Sequence, residues 1–401
     1  MVVRPERRTR TDLVVVALIA VAVVVTGTVL WFNSDARATV SEVAPQPLPE
    51  LPEAQSVPGG FTEAWRAPSP VTPVPVVAGP AAVTGDGNEV LGHDPQTGRV
   101  AWRYARDIPL CTIGSEWDRA VAVFRKSSNC SEVTSLRGPT GLRGPQRNSD
   151  AEFDTQLLSD GTYLTATGQR TFESWRSDLV RTQQFGIPPA VKNPDNDMKR
   201  PDCTFTSTAV GDDRVGVVEK CPQELGRITV IKAKPEDDEK PEEVFSVGLG
   251  STSASVIAVT SKHVAVVERD RSAVVVFDDT GREVSRYPVR LGTPDFRANV
   301  QVEATKTGNR IYWHTGADTL ALDPAALTPQ WSVPDTLGPG TGFAGKLLVP
   351  VREGLAVIDP GTGNRERVIP VDRGGYAGPV QLNAVGSVLL EQRGNILVAL
   401  R

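Results

Sequence analysis

One short turn motif recurs along this chain, and it restricts the fold more than any other sequence feature. Its fullest copy is GHDPQTGRVAWRY at 92–104, where Asp94, Thr97, Gly98 and Trp102 stand at fixed offsets. Asp and Thr side chains can hydrogen-bond the backbone of a tight turn, and glycine supplies a positive φ. Trp102 would then pack from the strand that follows. The motif predicts a hairpin between two strands of a β-propeller blade.

The same register recurs at Asp278, Asp323 and Asp359, and Trp331 stands eight positions after Asp323 as Trp102 does after Asp94. Degenerate copies place Arg137, Ser177 and Ala233 at the aspartate position. The copies follow one another at steps of 36 to 56 residues. A period of about 40 to 50 residues is typical of a four-stranded propeller blade.

The two ends of the repeat region supply one further blade. The sequence NILVAL before Arg401 aligns with NEVLGH before Asp94, and residues 61–66 align with the strand that carries Trp102. Pairing of strand 61–66 with the C-terminal strand would close the ring and remove two exposed sheet edges. We therefore expect an all-β, PQQ-like propeller domain over 61–401 with eight blades, or with seven if one degenerate copy is not a blade.

The start of the chain predicts a membrane segment. Residues 13–32 carry no charge, and four arginines lie in the basic segment 1–12. Twenty helical residues cover about 30 Å, enough to cross a bilayer, and the arginines place segment 1–12 in the cytoplasm. The alternative is a cleaved signal peptide with a weak A-x-A site at 36–38. We expect a single transmembrane helix, with the propeller in the extracytoplasmic space.

Residues 33–60 contain five prolines among Ala, Glu and Gln. Such a composition favours an extended, semi-rigid linker. We expect this linker to hold the propeller several tens of ångströms away from the membrane.

The four cysteines form two pairs with similar spacing. Cys203 and Cys221 flank one predicted hairpin, and Cys111 and Cys130 flank another in a different blade. On an exported domain this favours two disulfides within blades. A zinc site would need C-x-x-C pairs or nearby histidines, which the sequence does not offer. We expect disulfides rather than zinc.

No catalytic, metal-binding or cofactor-binding motif is found in the sequence, so we expect none of these sites. His93, His263 and His314 are interpreted as structural, and the repeated aspartates as turn residues. The net charge of −5 and the absence of a basic stripe argue against nucleic acid as a partner. The polar insertions 188–202 and 234–243 are solvated loops or, alternatively, a docking rim for a partner.

The Asp-x-x-Thr-Gly-x-x-x-Trp turn resembles the repeat of the PQQ-like propeller family. That family includes quinoprotein dehydrogenases, whose adjacent cysteines and calcium-linked aspartate are not matched here. It also includes the cofactor-free lipoprotein of the outer-membrane assembly machinery, which implies a scaffold role.

The wider layout is basic tail, single span, SDARATV at 34–40, proline linker and propeller. It resembles the actinobacterial membrane-anchored polar growth factor proteins linked to mycolate export. That resemblance implies a cell-membrane protein that works with an RND-type exporter and binds a glycolipid, trehalose monomycolate. A diverged quinoprotein-like enzyme and a substrate-binding sensor are the alternatives.

Overall fold

The computed structural model describes residues 9–32, 34–188, 200–237, 240–292 and 304–401. Its first element, helix α1 (Arg10–Phe32), has no buried residue. Thr9 and Asp12 cap it reciprocally, because the Thr9 amide donates to the Asp12 carboxylate and the Asp12 amide donates to the Thr9 hydroxyl. Its 23 residues cover about 35 Å. Within the described ranges it is the helix that is long and apolar enough to cross a membrane. A short helix, α2 (Asp35–Ala38), follows.

The strands form eight antiparallel sheets arranged as the blades of a propeller. Strands β1 (Val40–Glu42) and β2 (Glu63–Pro68) precede the first complete hairpin. The remaining strands follow in chain order, as blade 1, Val76–Ala78 (β3), Ala81–Asp86 (β4), Glu89–His93 (β5), Val100–Ala105 (β6); blade 2, Leu110–Glu116 (β7), Arg119–Lys126 (β8), Asn129–Arg137 (β9), Arg143–Asn148 (β10); blade 3, Leu157–Ser159 (β11), Leu164–Ala166 (β12), Thr171–Trp175 (β13), Arg181–Gly186 (β14); blade 4, Thr204–Gly211 (β15), Arg214–Lys220 (β16), Gly226–Lys232 (β17), Glu243–Leu249 (β18); blade 5, Ala254–Val259 (β19), His263–Glu268 (β20), Ala273–Asp278 (β21), Glu283–Pro288 (β22); blade 6, Thr305–Thr307 (β23), Arg310–His314 (β24), Thr319–Leu322 (β25), Pro329–Val333 (β26); blade 7, Thr341–Phe343 (β27), Lys346–Val351 (β28), Gly354–Ile358 (β29), Arg365–Pro370 (β30); and blade 8, Val380–Val385 (β31), Val388–Arg393 (β32), Ile396–Leu400 (β33).

The eight-bladed propeller predicted from the repeat is confirmed. Seven of the eight predicted register positions fall directly after, or on the last residue of, the third strand of a blade, and Ser177 lies two residues after that strand in blade 3. The buried apolar residues form clusters that join neighbouring sheets, so each blade covers the faces of the next.

The ring closes through β2, which pairs antiparallel with β33 and completes blade 8. The pairing runs from Glu63 opposite Leu400 to Pro68 opposite Ile396. Thr62 and Arg401 extend it, since each donates its amide to the carbonyl of the other at 2.8 and 3.0 Å. The first and last strands of the ring thereby share one sheet, which joins the two ends of the propeller.

Each blade has two distinct ends. The first hairpin turn and the third-to-fourth strand turn lie on one face of the ring, which we call the turn face. The middle turn and the link to the next blade lie on the opposite face, the connector face. Arg373, in the link from blade 7 to blade 8, pairs with fully buried Glu391 at 2.9 Å. Arg200 pairs in the same way with Glu219 of blade 4 at 2.7 Å. The Arg373 guanidinium also donates to the Val351 and Gly354 carbonyls, so it joins blades 7 and 8 on the connector face. Arg200 instead fastens the link before blade 4 to that blade.

The proline-rich linker differs from the expectation of a free spacer. Strand β1 adds a fifth strand to blade 1, with Val40 opposite Ala105 and Glu42 opposite Arg103. Residues 43–58, which we call the strap, then run along the turn face. The linker between α1 and β1 thus has seven residues, 33–39, rather than the 28 of the whole range 33–60. The spacer expectation was wrong because apolar side chains among the prolines give the segment a surface that the ring can bury.

Candidate functional site: the central channel and the turn face

Asp94, Asp323 and Asp359 build the same turn, closed by the amide four residues on, whereas the Asp278 turn is closed by Gly281, three residues on. The Asp94 carboxylate accepts from the amides of Gln96 and Thr97 at 2.9 and 3.0 Å. Asp323 accepts likewise from the second and third residues after it. Gly98 follows with φ +72. These carboxylates are occupied by backbone donors, which gives them a structural role.

Two of these aspartates have lowered pKa values. Hydrogen bonds from Thr280 and from the Arg282 amide lower the pKa of Asp278 to about 2. The amide and hydroxyl of Thr362 hold the pKa of Asp359 below its usual range. Both groups therefore stay ionised at neutral pH, as backbone-capping acceptors should.

Trp102 packs in a place that the sequence did not reveal. Its indole N–H donates to the Gly138 carbonyl of blade 2 at 2.7 Å, and the ring lies on Gly141 in the same turn. Trp331 of blade 6 donates to Pro360 of blade 7 in the same manner at 3.3 Å. The offset of eight residues that Asp94–Trp102 and Asp323–Trp331 share thus positions a tryptophan that joins its own blade to the next one.

Three further tryptophans lie outside this register. Trp175 is fully buried, and its indole N–H donates to Glu173 at 3.0 Å. Trp313 is buried in the core between blades 5 and 6. Trp117 is half-buried in the first turn of blade 2 and donates to the Thr162 carbonyl of blade 3. Trp175 and Trp313 are therefore core residues, whereas Trp117 borders the turn face.

The cysteines are paired as Cys111–Cys130 in blade 2 and Cys203–Cys221 in blade 4. The second pair joins the two ends of one hairpin, as expected. The first pair does not, because Cys111 lies on β7 and Cys130 on β9, so the bond passes the end of β8. Sequence spacing could not show that a strand separates the two. Glu219 lies beside the sulfurs of Cys203 and Cys221, but those sulfurs are bonded to each other.

A central channel of about 630 Å³ runs between the first strands of the blades. These strands are paired on one side only, so their other backbone edge faces the channel. Most lining side chains are small, apolar or neutral polar, including Thr112, Gln381 and Asn383. Such a lining offers hydrogen bonds to a neutral polar ligand or to water.

Among the described lining residues the charged side chains are Asp160 and Lys306. Lys306 forms an ion pair with Asp212 of blade 4 at 3.3 Å. Burial raises the pKa of Asp160, with backbone hydrogen bonds from Tyr163 and Thr162 opposing the rise. Burial together with nearby Asp160 raises the pKa of Glu116, which accepts from the Ser159 hydroxyl. The turn-face side of the channel is thus acidic along blades 2 to 4.

The strap lies on the other part of the turn face. The Ala44 amide donates to the Thr140 carbonyl and the Leu48 amide to the Pro139 carbonyl, both at 2.9 Å. The Arg367 guanidinium donates to the Val57 carbonyl at 2.9 Å. A second cavity of about 380 Å³ borders the strap at Glu53 and Ala54 and lies between blades 6, 7 and 8.

Part of the two polar insertions lies outside the described residues. Residues 189–199 and 238–239 are not described, so the predicted docking rim is not tested by the structure. The described parts are the ends of each insertion, at 188, 200–202, 234–237 and 240–243.

The histidines fit structural roles. His93 is buried, its Nδ1–H donates to the Gly98 carbonyl at 3.0 Å, and Nε2 accepts from Thr84 at 2.8 Å. Burial lowers the pKa of His93 and of His314. Both imidazoles are therefore neutral in the folded protein at pH 7.

Comparison with known proteins supports the fold alone. No protein-family model matches the chain, and no curated protein matches it. BamB from Moraxella catarrhalis is similar in structure, with a TM-score of 0.52 and 13% identity over 85% of this chain and 99% of BamB. Dihydro-heme d1 dehydrogenase NirN, in complex with DHE, has a TM-score of 0.52 and 11% identity over 84% of this chain and 78% of NirN. The chain is a propeller similar to that of BamB, as the PQQ-like turn indicated.

Proposed function

We propose that this protein is a membrane-anchored, extracytoplasmic propeller that binds a protein partner in the cell envelope and catalyses no reaction itself. The observation that carries the proposal is the joining of a bilayer-length apolar helix to a disulfide-bearing ring through seven residues. Such a ring is a rigid platform held next to a membrane.

The compartment follows from two features. Disulfides persist in oxidising compartments and are rare in the cytosol. The helix Arg10–Phe32 is exposed along its whole length, which suits insertion into lipid better than packing against the ring. In our proposal the helix is an uncleaved anchor and the ring lies on the extracytoplasmic side.

Binding rather than catalysis is supported by the side chains themselves. The turn aspartates accept from backbone amides, His93 and His314 hydrogen-bond within the fold, and Lys306 is paired with Asp212. Propellers similar to this one include both BamB and a dehydrogenase, so the fold does not decide the matter. The proposal depends instead on exposed surfaces around the ring, where propellers present their binding loops.

The finer proposal concerns envelope growth. The layout of basic tail, span, linker and ring resembles the actinobacterial polar growth factor proteins, which implies work with an RND-type mycolate exporter. The channel volume of about 630 Å³ lies within the range of small-molecule sites. Its neutral polar lining suits the sugar headgroup of a glycolipid such as trehalose monomycolate.

Photo-crosslinking in the envelope of the native host tests the binding role. A photoreactive side chain at Val180 reports on the turn face and one at Leu225 on the connector face, since both side chains are about half exposed. We expect a specific crosslink to an envelope protein from at least one position. The absence of any crosslink, together with turnover of a substrate by the purified full chain, would contradict the proposal.

A further inference from the structure

The strap carries a three-residue pattern that matches the surface beneath it. Leu48, Leu51, Ala54 and Val57 are buried or half-buried, whereas most residues between them are exposed. A polyproline II helix has three residues per turn, so every third side chain lies on one side. The prolines of the strap favour that conformation.

These four side chains enter three successive gaps between blades. Leu48 packs with Ala78 of blade 1 and Leu136 of blade 2. Leu51 lies over Gly386 and packs with Val385 of blade 8.

Farther along the strap, Ala54 and Val57 pack against the apolar cluster of blades 7 and 8 that contains Phe343 and Leu382. The turn face thus has a row of apolar gaps whose separation fits an extended chain with an apolar residue at every third position. We call this row the strap groove.

The strap is held mainly by these side chains. Five prolines in 43–58 have no amide hydrogen to donate. The main-chain bonds to the ring are those of the Ala44 and Leu48 amides and of the Val57 and Pro58 carbonyls, which both accept from Arg367. A segment bound in this way can be exchanged for another with the same pattern, because no unique network of hydrogen bonds must be broken.

We propose that the strap groove is the docking site for an extended, proline-containing segment of the partner protein, with the strap as its intramolecular competitor. The neighbouring cavity of about 380 Å³ continues the row, with Gly308, Tyr312 and Gly345 among its lining residues. A partner segment longer than the strap can extend into that cavity. This inference deepens the proposed function, since it names the kind of segment that the partner presents.

A synthetic peptide with the sequence of residues 43–58 is the probe. The full chain in detergent is compared with a strap variant, L48S/L51S/V57S, which weakens the strap and leaves the groove intact. Because a bound strap reduces the fraction of competent groove, we expect the labelled peptide to bind the variant at least tenfold more tightly than the natural chain. A peptide with serine at the same three positions is the matched control and should not bind.

A groove variant locates the binding. Gly386 has φ +55, which asparagine tolerates better than other side chains, and its added Cβ would lie where the Leu51 side chain packs. G386N in the strap variant should weaken peptide binding at least tenfold. The single variant L51S, at a half-buried position, repeats the test if the triple variant does not reproduce the natural circular dichroism spectrum.

Release of the strap has an independent readout. Its two glutamates, Glu50 and Glu53, should be cut by a glutamate-specific protease faster in the strap variant than in the natural chain. Failure of the peptide to bind either folded variant, or binding unaffected by G386N, would overturn the groove assignment. In that case, a crosslink from Val180 or Leu225 to an envelope protein would still support the proposed function. If no crosslink forms, the proposed function is overturned, and the result of the peptide experiment is unaffected.

Discussion

The contact of Trp102 with the next blade should be a main determinant of ring stability. Its indole N–H donates to Gly138 across the blade boundary at 2.7 Å, and the side chain is 1% exposed. W102F removes the donor and leaves the Gly138 carbonyl without that partner, which costs about 1–3 kcal/mol. Loss of the second ring leaves a space over Gly141 and adds about 1–2 kcal/mol. We expect a total loss of about 2–5 kcal/mol.

W331F is the matched control because the same contact is weaker there. Trp331 is half-buried, and its N–H lies 3.3 Å from the Pro360 carbonyl. The expected loss is about 1 kcal/mol. Guanidinium unfolding of the full chain in detergent, followed by far-UV circular dichroism with the disulfides intact, gives both values.

A double-mutant cycle separates this contact from general effects. G141A places a Cβ about 2.6 Å from the Trp102 side chain at a residue with φ +70. The Trp102 atoms within that reach are Cβ, Cγ and Cδ2, of which alanine keeps only Cβ, so in the W102A background the cost of G141A should fall by about 1 kcal/mol. Equal losses for W102F and W331F, together with additive effects of W102A and G141A, would refute the interblade role.

Three further predictions concern stability. R373M leaves Glu391 buried with Arg393 as its remaining charged partner, so the free energy of unfolding at pH 7 should fall by about 2–4 kcal/mol. R282M, at an exposed pair, should lower it by under about 1 kcal/mol, and similar losses for the two variants in urea unfolding would contradict a special role of the buried pair. The pKa values of His93 and His314 in the folded protein lie below the unfolded value of about 6.5, so the unfolded chain takes up protons first as the pH falls, and the stability should be full above pH 6.5 and decrease below it. A urea midpoint that stays constant from pH 7.5 to 5.5 would contradict this. Replacing Cys203 and Cys221 by serine opens a loop of 18 residues and should lower the free energy of unfolding by about 2–4 kcal/mol. The same exchange at Cys111 and Cys130 is the comparison, and an unchanged melting temperature in both variants would contradict the prediction.

Much of the fold was predictable because its repeat is local. The Asp94 turn is made by residues within five positions of one another, so its register can be read from spacing, and the count of copies gives the number of blades. The partner of Trp102 is 36 positions away in the next blade, and the turn motif contains no sign of that contact. The same holds for Cys130, the disulfide partner of Cys111. It lies on β9, and the spacing of the two cysteines does not reveal the strand β8 between them.

The strap shows where composition misled the sequence interpretation. The prolines correctly indicated an extended chain, but an extended chain can be solvated or docked. The signal for docking was present in the apolar residues Leu48, Leu51, Ala54 and Val57 at every third position. It could be recognised only once the gaps between blades were known. The channel lining could not be predicted either, because it depends on which edge of each first strand faces the axis.

The central claim is that an uncleaved helix holds a disulfide-bearing ring in the envelope, where it binds a protein. Native mass spectrometry of the full chain, extracted in mild detergent from the membranes of its own host, tests this most directly. The account predicts a chain that retains residues 13–32, lacks four hydrogens because of two disulfides, and remains in complex with an envelope protein. A chain cleaved near residues 36–38, or one with free thiols and no protein partner, would contradict it.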